Sequence, residues 1–279
     1  MSLNFRKPLL MGILNLTEDS FYDGGKYLET IAIEKKIKDI IDEGADIIDI
    51  GAQSTFIDRK EISEKEEVKR ILRAINLVKR AENRELRKTM ISVDTYRASV
   101  AEEVIKNGAD IINDVTGLRY DPDMAKIIAK HQVPIVIMYA KESNGRTTID
   151  CIDYEDIILT LKVFFEERID FAISQGIKKE QIIIDPGMGF FISGKSKYSF
   201  QILDRLKELK QYFDLPVLVG TSRKSFLSLD GKLSPKERLE GTLATSAIAL
   251  YNGANIIRAH DIKEVKKIID TMENFNFPK

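Results

Sequence analysis

Acidic, amide and cationic residues recur directly after short apolar runs in this 279-residue sequence. Asp94, Asn113 and Asp185 end or follow such runs, and Lys224 and Arg258 follow or end two others. A carboxylate accepts two parallel N–H donors, an Asn amide offers one donor and one acceptor, and a Lys ammonium donates to a ring carbonyl or nitrogen. This combination predicts a site for a heterocycle that presents an amino-pyrimidinone edge.

A second group of residues has the chemistry of an anion site. Arg223, Arg258 and His260 supply cationic N–H donors that suit a pyrophosphate. The run Thr17-Glu18-Asp19-Ser20 follows Asn15, and its oxygens could approach a metal-bound anion. The sequence therefore predicts a ring on one side of a shared site and an anion on the other.

A single Asp or Asn after an apolar run has a simpler explanation, because these residues commonly cap the following helix. That explanation weakens when several separate strands direct such groups at one place, since unpaired polar groups are costly to bury. His131 differs from the others because it precedes an apolar run, on the opposite side of the predicted sheet. We interpret it as a structural residue.

The elements that must position these side chains alternate along the chain. Apolar runs predict eight strands, at 9–14, 46–51, 90–94, 110–115, 134–139, 182–185, 216–220 and 255–259. Segments with apolar residues at three- and four-residue spacing predict helices, for example at 30–43, 97–107, 155–175, 199–212 and 236–252. Parallel strands joined by right-handed crossovers would close a (β/α)8 TIM barrel, an α/β fold, as a single domain over residues 1–279. An open doubly wound sheet is the alternative, and it is disfavoured because no Gly-x-Gly-x-x-Gly turn follows the first run.

The pattern Gly-Ala-Asp/Asn-Ile-Ile occurs at 44–48, 108–112 and 253–257. Glycine suits the left-handed residue that ends a helix, and the β-branched pair suits a strand buried on both faces. Each copy is predicted to be a junction between a helix and a strand.

Composition excludes several classes of protein. The chain has 43 basic and 44 acidic residues, so its net charge of −1 provides no overall field for binding nucleic acid. Cys151 is the single cysteine, which excludes an internal disulfide and fits a reducing, cytoplasmic location. An apolar run of membrane-spanning length is absent from the sequence, so we expect no membrane association.

Ordered motifs extend through nearly the whole chain. The run from Met11 to Phe21, Met-Gly-Ile-Leu-Asn-Leu-Thr-Glu-Asp-Ser-Phe, resembles the first signature of the dihydropteroate synthases. Later blocks resemble the family in order: Ser92-Val93-Asp94-Thr95, Ile112-Asn113-Asp114-Val115, Asp185-Pro186-Gly187-Met188-Gly189-Phe190, Gly220-Thr221-Ser222-Arg223-Lys224-Ser225 and Arg258-Ala259-His260-Asp261. Each block lies at the end of a predicted strand.

The resemblance implies a transferase of folate biosynthesis that condenses 6-hydroxymethyl-7,8-dihydropterin pyrophosphate with p-aminobenzoate, giving 7,8-dihydropteroate and pyrophosphate. It also implies Mg²⁺ as cofactor and a homodimer as the assembly. The implied pterin-binding residues are Asp94, Asn113, Met138, Asp185, Phe190 and Lys224. The implied pyrophosphate-binding residues are Asn15, Arg258 and His260, with Asn15 at the metal. The implied p-aminobenzoate-binding residues are Thr55, Ser222 and Arg223, and the implied catalytic residues are Asp94, Lys224, Arg258 and His260.

Three positions depart from the usual family pattern. The second loop reads Ser54-Thr55-Phe56-Ile57-Asp58-Arg59 where Ser-Thr-Arg-Pro-Gly is usual, so the loop arginine is missing. The usual Met-His after the fifth strand is Met138-Tyr139. Phe191 follows Phe190 in Gly189-Phe190-Phe191-Ile192-Ser193, and this segment resembles sulfonamide-insensitive members of the family together with Leu16-Thr17-Glu18 and Ser225-Phe226-Leu227. An aromatic near the amine pocket would reject sulfonamides while it admits the planar carboxylate substrate.

Three other functions deserve comparison. A methyltetrahydrofolate:corrinoid methyltransferase shares the ring-binding acids and amides but needs no pyrophosphate site, so the segments around Asn15 and Arg258 argue against it. A non-catalytic pterin-binding paralogue is compatible with the altered second loop, although the chemistry-bearing residues are retained. A generic phosphate-binding barrel is the least specific alternative.

Overall fold

The computed structural model describes residues 3–16, 25–53, 61–81 and 89–275, with residues 25–29 described by their backbone alone. The strands in these ranges are β1 Leu9–Asn15, β2 Ile47–Gly51, β3 Met90–Asp94, β4 Ile111–Asp114, β5 Ile135–Met138, β6 Ile182–Asp185, β7 Leu218–Val219 and β8 Ile256–Ala259. The helices are α1 Gly25–Asp42, α2 Glu64–Ala81, α3 Ala98–Lys106, α4 Met124–His131, α5 Ile157–Ser174, α6 Lys197–Asp204, α7 Leu206–Phe213, α8 Leu239–Tyr251 and α9 Ile262–Met272.

All paired strands are parallel, in the order β6-β5-β4-β3-β2-β1-β8-β7. The two ends of this order meet through a parallel bridge between Ile184 and Val217, where the Ile184 N–H donates to the Pro216 carbonyl at 3.0 Å. That bridge closes the sheet on itself, with the helices between successive strands outside it. The predicted (β/α)8 barrel is therefore confirmed.

The barrel interior changes from apolar to polar along the strands. Its lower layer is a buried cluster that contains Met11, Ile47, Ile111, Val136, Ile183, Leu218 and Ile256. Side chains alternate along a strand, so the residue two positions later faces the same interior. That residue is Asp49 in β2, Asn113 in β4 and Asp185 in β6, and all three are buried. The polar upper layer therefore lies at the carboxyl end of the barrel, while the larger apolar core lies between sheet and helices.

The repeated Gly-Ala-Asp/Asn-Ile-Ile pattern does form helix-to-strand junctions. The three glycines have φ of +93°, +98° and +100°, a left-handed conformation that glycine adopts without steric cost. In each copy the third residue forms two hydrogen bonds with the backbone of one partner residue. Its side-chain oxygen accepts the partner's N–H, and its own backbone N–H donates to the partner's carbonyl. The partners are Leu10 for Asp46, Ile91 for Asp110 and Val217 for Asn255, and the accepted bond is 3.0 Å in each.

The helix predicted at 199–212 is instead two helices, α6 and α7, that meet at Arg205. Apolar spacing continues across the break, so periodicity alone gave no sign of it. Asn252 donates to the Leu203 carbonyl at 2.7 Å and thereby replaces a helical hydrogen bond. Arg205 turns outward, where it bonds Glu208 and the Asp156 carboxylate that caps α5. These long-range contacts end α6 early.

Two further predictions concern His131 and membrane-spanning helices. His131 ends α4 just before β5, at the amino end of the barrel, with its Nε2 atom 3.8 Å from a Glu102 oxygen. It is thus remote from the polar upper layer. Among the described residues, no helix is both long and apolar enough to cross a membrane.

Candidate functional site

A pocket of about 420 Å³ opens at the carboxyl end of the barrel. Its walls come from β1, β8 and the loops after β5, β6 and β7. The lining includes Ile13, Thr147, Met188, Phe190, Phe191, Ser222, Arg223, Lys224, Arg238, Arg258 and His260. In parallel barrels this face carries the reactive groups, because the connecting loops converge there.

Arg258 is the centre of the polar layer. Its Nε atom donates to Asp49 Oδ2 at 2.7 Å, and its Nη2 atom donates to Asp94 Oδ2 at 3.2 Å. Burial on its own lowers the pKa of Arg258, but the charges of Asp49 and Asp94 outweigh it and raise the pKa. Burial also raises the pKa of the Asp94 carboxyl, which Arg258 opposes by favouring the charged form. A fixed cation thus lies between the buried Asp49 carboxylate and the half-buried Asp94 carboxylate.

Asn113 presents a hydrogen-bond acceptor to the site. Its Nδ2 atom donates to Asp49 Oδ2 at 3.2 Å. Its Oδ1 atom is buried and has no hydrogen-bond partner among the described residues. Buried polar atoms are normally paired, so this unpaired acceptor in the buried polar layer is open to a donor from a ligand.

Asp185 and Lys224 are oppositely charged groups of the same layer that influence each other's pKa without a direct ion pair between them. Asp185 Oδ1 accepts the Gly187 N–H at 2.8 Å across the Asp-Pro-Gly turn, where Gly187 has a φ of +69°. Burial raises the pKa of Asp185, and the Lys224 charge opposes this. Burial likewise lowers the pKa of Lys224 to about 8, assisted by Arg258 and opposed by Asp185 and Asp94. The two groups therefore depend on each other for their charges.

The loop after β6 is fastened to the loop after β5. Lys141 donates from Nζ to the Thr148 and Phe190 carbonyls, both at 2.7 Å, and Thr147 donates to the Phe190 carbonyl at 2.8 Å. These bonds fix the backbone beneath two pocket aromatics. Phe191 packs against the cluster around Met138, and its ring centroid lies 5.2 Å from Lys224 Nζ.

Arg223 is already engaged within the protein. It forms a bidentate ion pair with Asp261 at 2.9 and 2.6 Å, and its Nη1 atom donates to the Pro235 and Lys236 carbonyls. Ser222 accepts the His260 N–H at 3.1 Å, and the His260 side chain is exposed at the pocket mouth. All three residues line the pocket, but the Arg223 guanidinium is held back in its wall.

Most of the predicted site residues converge on this face. Asn15, Gly51, Asp94 and Asn113 occupy one lateral row of the sheet, and Met138 pairs with Asp185 in another. Thr55, the segment 54–59 and the segment 17–20 lie outside the described residues. The predicted p-aminobenzoate contact of Thr55 therefore stays a prediction.

Tyr139 faces away from the pocket. It is buried in the layer between sheet and helices, with its ring centroid 5.0 Å from that of Phe164 in an edge-to-face arrangement. Its hydroxyl lies 3.3 Å from the Tyr154 hydroxyl. Burial raises the pKa of Tyr139, so the residue is neutral. This departure from the family pattern changes the outer core and not the pocket.

Sequence analysis missed Asp49 and Ser92. Asp49 has no exposed surface, accepts the Ser92 hydroxyl at 2.6 Å and contacts both Arg258 and Asn113. The available signal was a carboxylate in the middle of the apolar strand Ile-Ile-Asp-Ile-Gly, because such a charge needs a buried partner.

A divalent metal at this site would need a bound ligand to supply part of its coordination shell. No group of three or more His, Cys, Asp or Glu side chains in the described ranges could hold a metal ion. Asn15 is exposed at the end of β1, in the same row as Asp94, and Gly51 between them adds no side chain. Mg²⁺ commonly takes one or two protein oxygens and completes its shell with phosphate oxygens and water. The single amide oxygen of Asn15 fits that mode of binding.

Comparison with known proteins agrees with this geometry. The family model described as pterin binding enzyme matches residues 11–260. A dihydropteroate synthase of Bacillus subtilis is 39% identical over 268 residues, covering 96% of this chain and 88% of the relative. One from Clostridium beijerinckii is 40% identical over 260 residues, covering 92% of this chain and 90% of the relative.

A solved structure gives the same result at the level of the fold. The crystal structure of dihydropteroate synthase from Clostridium difficile in the presence of pteroic acid superposes with a TM-score of 0.87. The two chains are 38% identical, and the match covers 100% of each. Full-length similarity of this kind confirms the predicted family and enzyme class. The chain therefore belongs to the pterin-binding enzyme family and, within it, to the dihydropteroate synthases.

Proposed function

We propose that this transferase joins 6-hydroxymethyl-7,8-dihydropterin pyrophosphate to p-aminobenzoate through the residues at the carboxyl end of the barrel. The observation that carries the proposal is the arrangement around Arg258, which lies between Asp49 and Asp94 with Lys224 and Asp185 nearby. It combines ring-binding groups and an anion-binding group in one pocket. A generic phosphate site would not need the buried carboxylates.

The pterin ring is bound through complementary polar groups. The Gly187 N–H donates to Asp185 Oδ1, and Asp185 Oδ2 accepts from the N–H donors of the amino-pyrimidinone edge. Asn113 accepts another ring donor through Oδ1, and Lys224 donates to a ring carbonyl or nitrogen. Phe190 and Met138 contribute apolar contacts beside the ring.

The pyrophosphate is bound on the Arg258 side of the pocket. Arg258 donates to its oxygens as a cation, whereas desolvation in the pocket and the Arg258 charge lower the pKa of His260 to about 4, so His260 donates as a neutral imidazole and not as the predicted cation. Both stabilise the negative charge that grows as the carbon–oxygen bond breaks. Mg²⁺, held by Asn15 together with phosphate oxygens, would offset part of the same charge when bound. Bond cleavage precedes attack, so positive charge develops on the pterin methylene and is delocalised into the ring. Asp94 stabilises that charge electrostatically.

The amine of p-aminobenzoate then forms the new carbon–nitrogen bond. Its lone pair attacks the methylene carbon, and the proton lost from nitrogen passes to solvent or to the departing pyrophosphate. Aniline-type nitrogens are weakly basic, so the neutral amine needs no strong general base before it attacks. We place the amine substrate near Ser222 and Thr55, with Arg223 acting from the pocket wall.

Pyrophosphate release tests the proposed reaction. The chain is mixed with the pterin pyrophosphate, with and without p-aminobenzoate and with and without Mg²⁺, and phosphate is counted after pyrophosphatase treatment. We expect rapid release only when both additions are present. Absence of release from the complete mixture, with the pterin still bound, would instead identify a non-catalytic pterin-binding protein.

Asp185→Ala tests the assignment of the ring site. Removal of the carboxylate leaves the ring's N–H donors unpaired, at a cost of about 1–3 kcal/mol or more. We expect pterin affinity measured by calorimetry to fall at least about tenfold. Wild-type affinity in this variant would refute the assignment, and Asp204→Ala on α6 serves as a remote control.

Assembly and location form part of the same proposal. Exposed apolar side chains project from α5, α6, α7 and α8: Leu159, Val163, Phe200, Tyr212, Ile248 and Tyr251. An apolar face of this extent suits a homodimer, which sedimentation velocity would detect as twice the chain mass of 31.7 kDa. The exposed free thiol of Cys151 supports a reducing, cytoplasmic location.

A further inference from the structure

We propose that Asp49 is a positioning residue that holds Arg258 and Asn113 in place, so that the pyrophosphate side and the ring side of the pocket keep a fixed spacing. The proposal rests on the proposed function, because it assigns a role within that reaction. Asp49 lies on β2, whereas Arg258 is on β8 and Asn113 is on β4. The Asp49 carboxylate therefore connects β8 on one side of β2 with β4 on the other side.

Asp49 accepts three hydrogen bonds from side chains of the protein. Its Oδ1 atom accepts the Ser92 hydroxyl at 2.6 Å, and its Oδ2 atom accepts Arg258 Nε at 2.7 Å and Asn113 Nδ2 at 3.2 Å. The residue has no exposed surface. Asp49 thus contacts no substrate and acts only through the residues that do.

Arg258 has one firm partner and one weaker partner. Asp49 binds Nε at 2.7 Å from a fully buried position, while Asp94 binds Nη2 at 3.2 Å with 17% of its side chain exposed. An incoming diphosphate can compete with Asp94 for the Nη atoms without disturbing the Nε bond. Asp49 therefore keeps the guanidinium aligned while Asp94 is released toward the ring.

Asn113 depends on the same carboxylate for its orientation. An Asn side chain presents either an acceptor or a donor, depending on which way the amide is turned. Because a carboxylate only accepts, Asp49 can pair only with Nδ2, and Oδ1 is then directed to the ligand. Asp49 thereby selects a ring edge that donates hydrogen bonds.

The variant Asp49→Asn separates the alignment of Arg258 from the orientation of Asn113. The Asn oxygen can accept from Arg258 and Asn113 while its NH₂ donates to Ser92, but the bond to Arg258 loses its ionic component and no longer fixes the guanidinium firmly. We expect this loss of alignment to outweigh the removal of a negative charge beside the anion. We expect affinity for inorganic pyrophosphate with Mg²⁺ to fall about tenfold, as is typical when a supporting partner of a binding group is lost. Affinity for the pterin without its diphosphate should change less than about threefold.

Both affinities are measured by calorimetry on the intact chain, so the test does not depend on turnover. Asp46→Asn is the matched control, because Asp46 lies three residues earlier at the amino end of β2 and bonds the Leu10 N–H. It should change neither affinity. An equal loss of both ligands in Asp49→Asn, or no loss of pyrophosphate binding, would overturn the proposal.

A second variant covers the case in which Asp49→Asn fails to fold. Ser92→Ala removes one support of the carboxylate and keeps its charge, so pyrophosphate affinity should fall by a smaller factor with pterin affinity intact. Unchanged pyrophosphate affinity in Ser92→Ala would then contradict the proposal. A wild-type chain that binds both ligands without turnover would reject the proposed reaction and leave the role of Asp49 open to the same binding test.

Discussion

Lys224 carries a positive charge into a pocket that already contains Arg258. Burial and the repulsion from Arg258 lower the pKa of Lys224 to about 8, while Asp185 and Asp94 hold it from falling further. A lysine with a lowered pKa is charged below that value and neutral above it. The residue therefore titrates close to the pH at which the enzyme is expected to work.

The pH dependence of kcat/KM follows from this charge. If protonated Lys224 donates to the pterin ring, kcat/KM for the pterin substrate should decline as pH rises through about 8. Lys224→Arg keeps its charge at every accessible pH, so its basic limb should move upward by at least about one unit even if its maximum rate is lower. An identical basic limb in both proteins would assign that limb to another group.

Phe191 gives a prediction about inhibitors. Its ring lines the pocket, with Lys224 Nζ 5.2 Å from the ring centroid. We expect sulfamethoxazole to inhibit only far above the KM for p-aminobenzoate, because the sulfonyl group is bulkier than a planar carboxylate. In Phe191→Ala the inhibitory concentration should fall at least about tenfold, with a smaller change in KM.

Phe200→Ala is a suitable control, since Phe200 lies on α6 outside the pocket and should leave inhibition unchanged. Strong inhibition of the wild-type chain near the p-aminobenzoate KM would contradict the prediction.

At the scale of secondary-structure elements, the three Gly-Ala-Asp/Asn-Ile-Ile junctions fix where strands begin. Each places an acidic or amide side chain against the backbone of a strand, and each does so at the end of the barrel opposite the pocket. Register errors at these points would displace every residue of the polar layer, because a shift of one residue turns side chains to the other face. The junctions therefore support the site from a distance.

Asp110→Ala tests this supporting role. The substitution leaves the Ile91 N–H without its side-chain acceptor, so the free energy of unfolding should fall by about 1–3 kcal/mol. Asp110→Asn should be close to wild type, because the third junction already uses Asn255 for the same bond. Urea denaturation followed by circular dichroism measures both, and equal stability of Asp110→Ala and wild type would disprove the role.

At the scale of the whole molecule, the barrel has few backbone hydrogen bonds where β6 meets β7, a boundary that we call the seam. β7 has only two residues in its strand, and β6 is joined to this edge by an isolated bridge between Ile184 and Val217, the residue just before β7. Site groups lie on both sides of this seam: Asp185 ends β6, and Lys224 follows β7. A ligand that contacts both residues would connect the two edges.

Hydrogen exchange should report that connection. In the free protein we expect the amides of 184 and 217–219 to exchange faster than those of β2 and β3, which pair along five residues. Saturating pterin should slow exchange at the seam, since a ligand stabilises the closed state it binds. Slowing confined to other strands, or none at all, would show that the ligand does not bridge the seam.

Local sequence was enough to locate the elements and to predict which polar side chains converge at the carboxyl end of the barrel. Strand positions agreed within about two residues, because apolar runs and the residues that end them are local properties. Asp94, Asn113, Asp185 and Arg258 were predicted to lie together because each is the last or the last but one residue of a strand in a fold where strand ends converge. The division at Arg205 escaped notice because Asn252, far along the chain, supplies the bond that ends α6.

The sequence by itself determined the alternation of strands and helices, the barrel and the chemical types at its open end. Tertiary structure alone decided which of those groups pair: Arg258 meets Asp49 across 209 residues and Asp94 across 164, Arg223 is held by Asp261, and Tyr139 turns outward. The physical reason is that periodicity and strand ends depend on neighbouring residues, whereas hydrogen bonds between β2, β3 and β8 exist only after the sheet has closed and brought distant strands together.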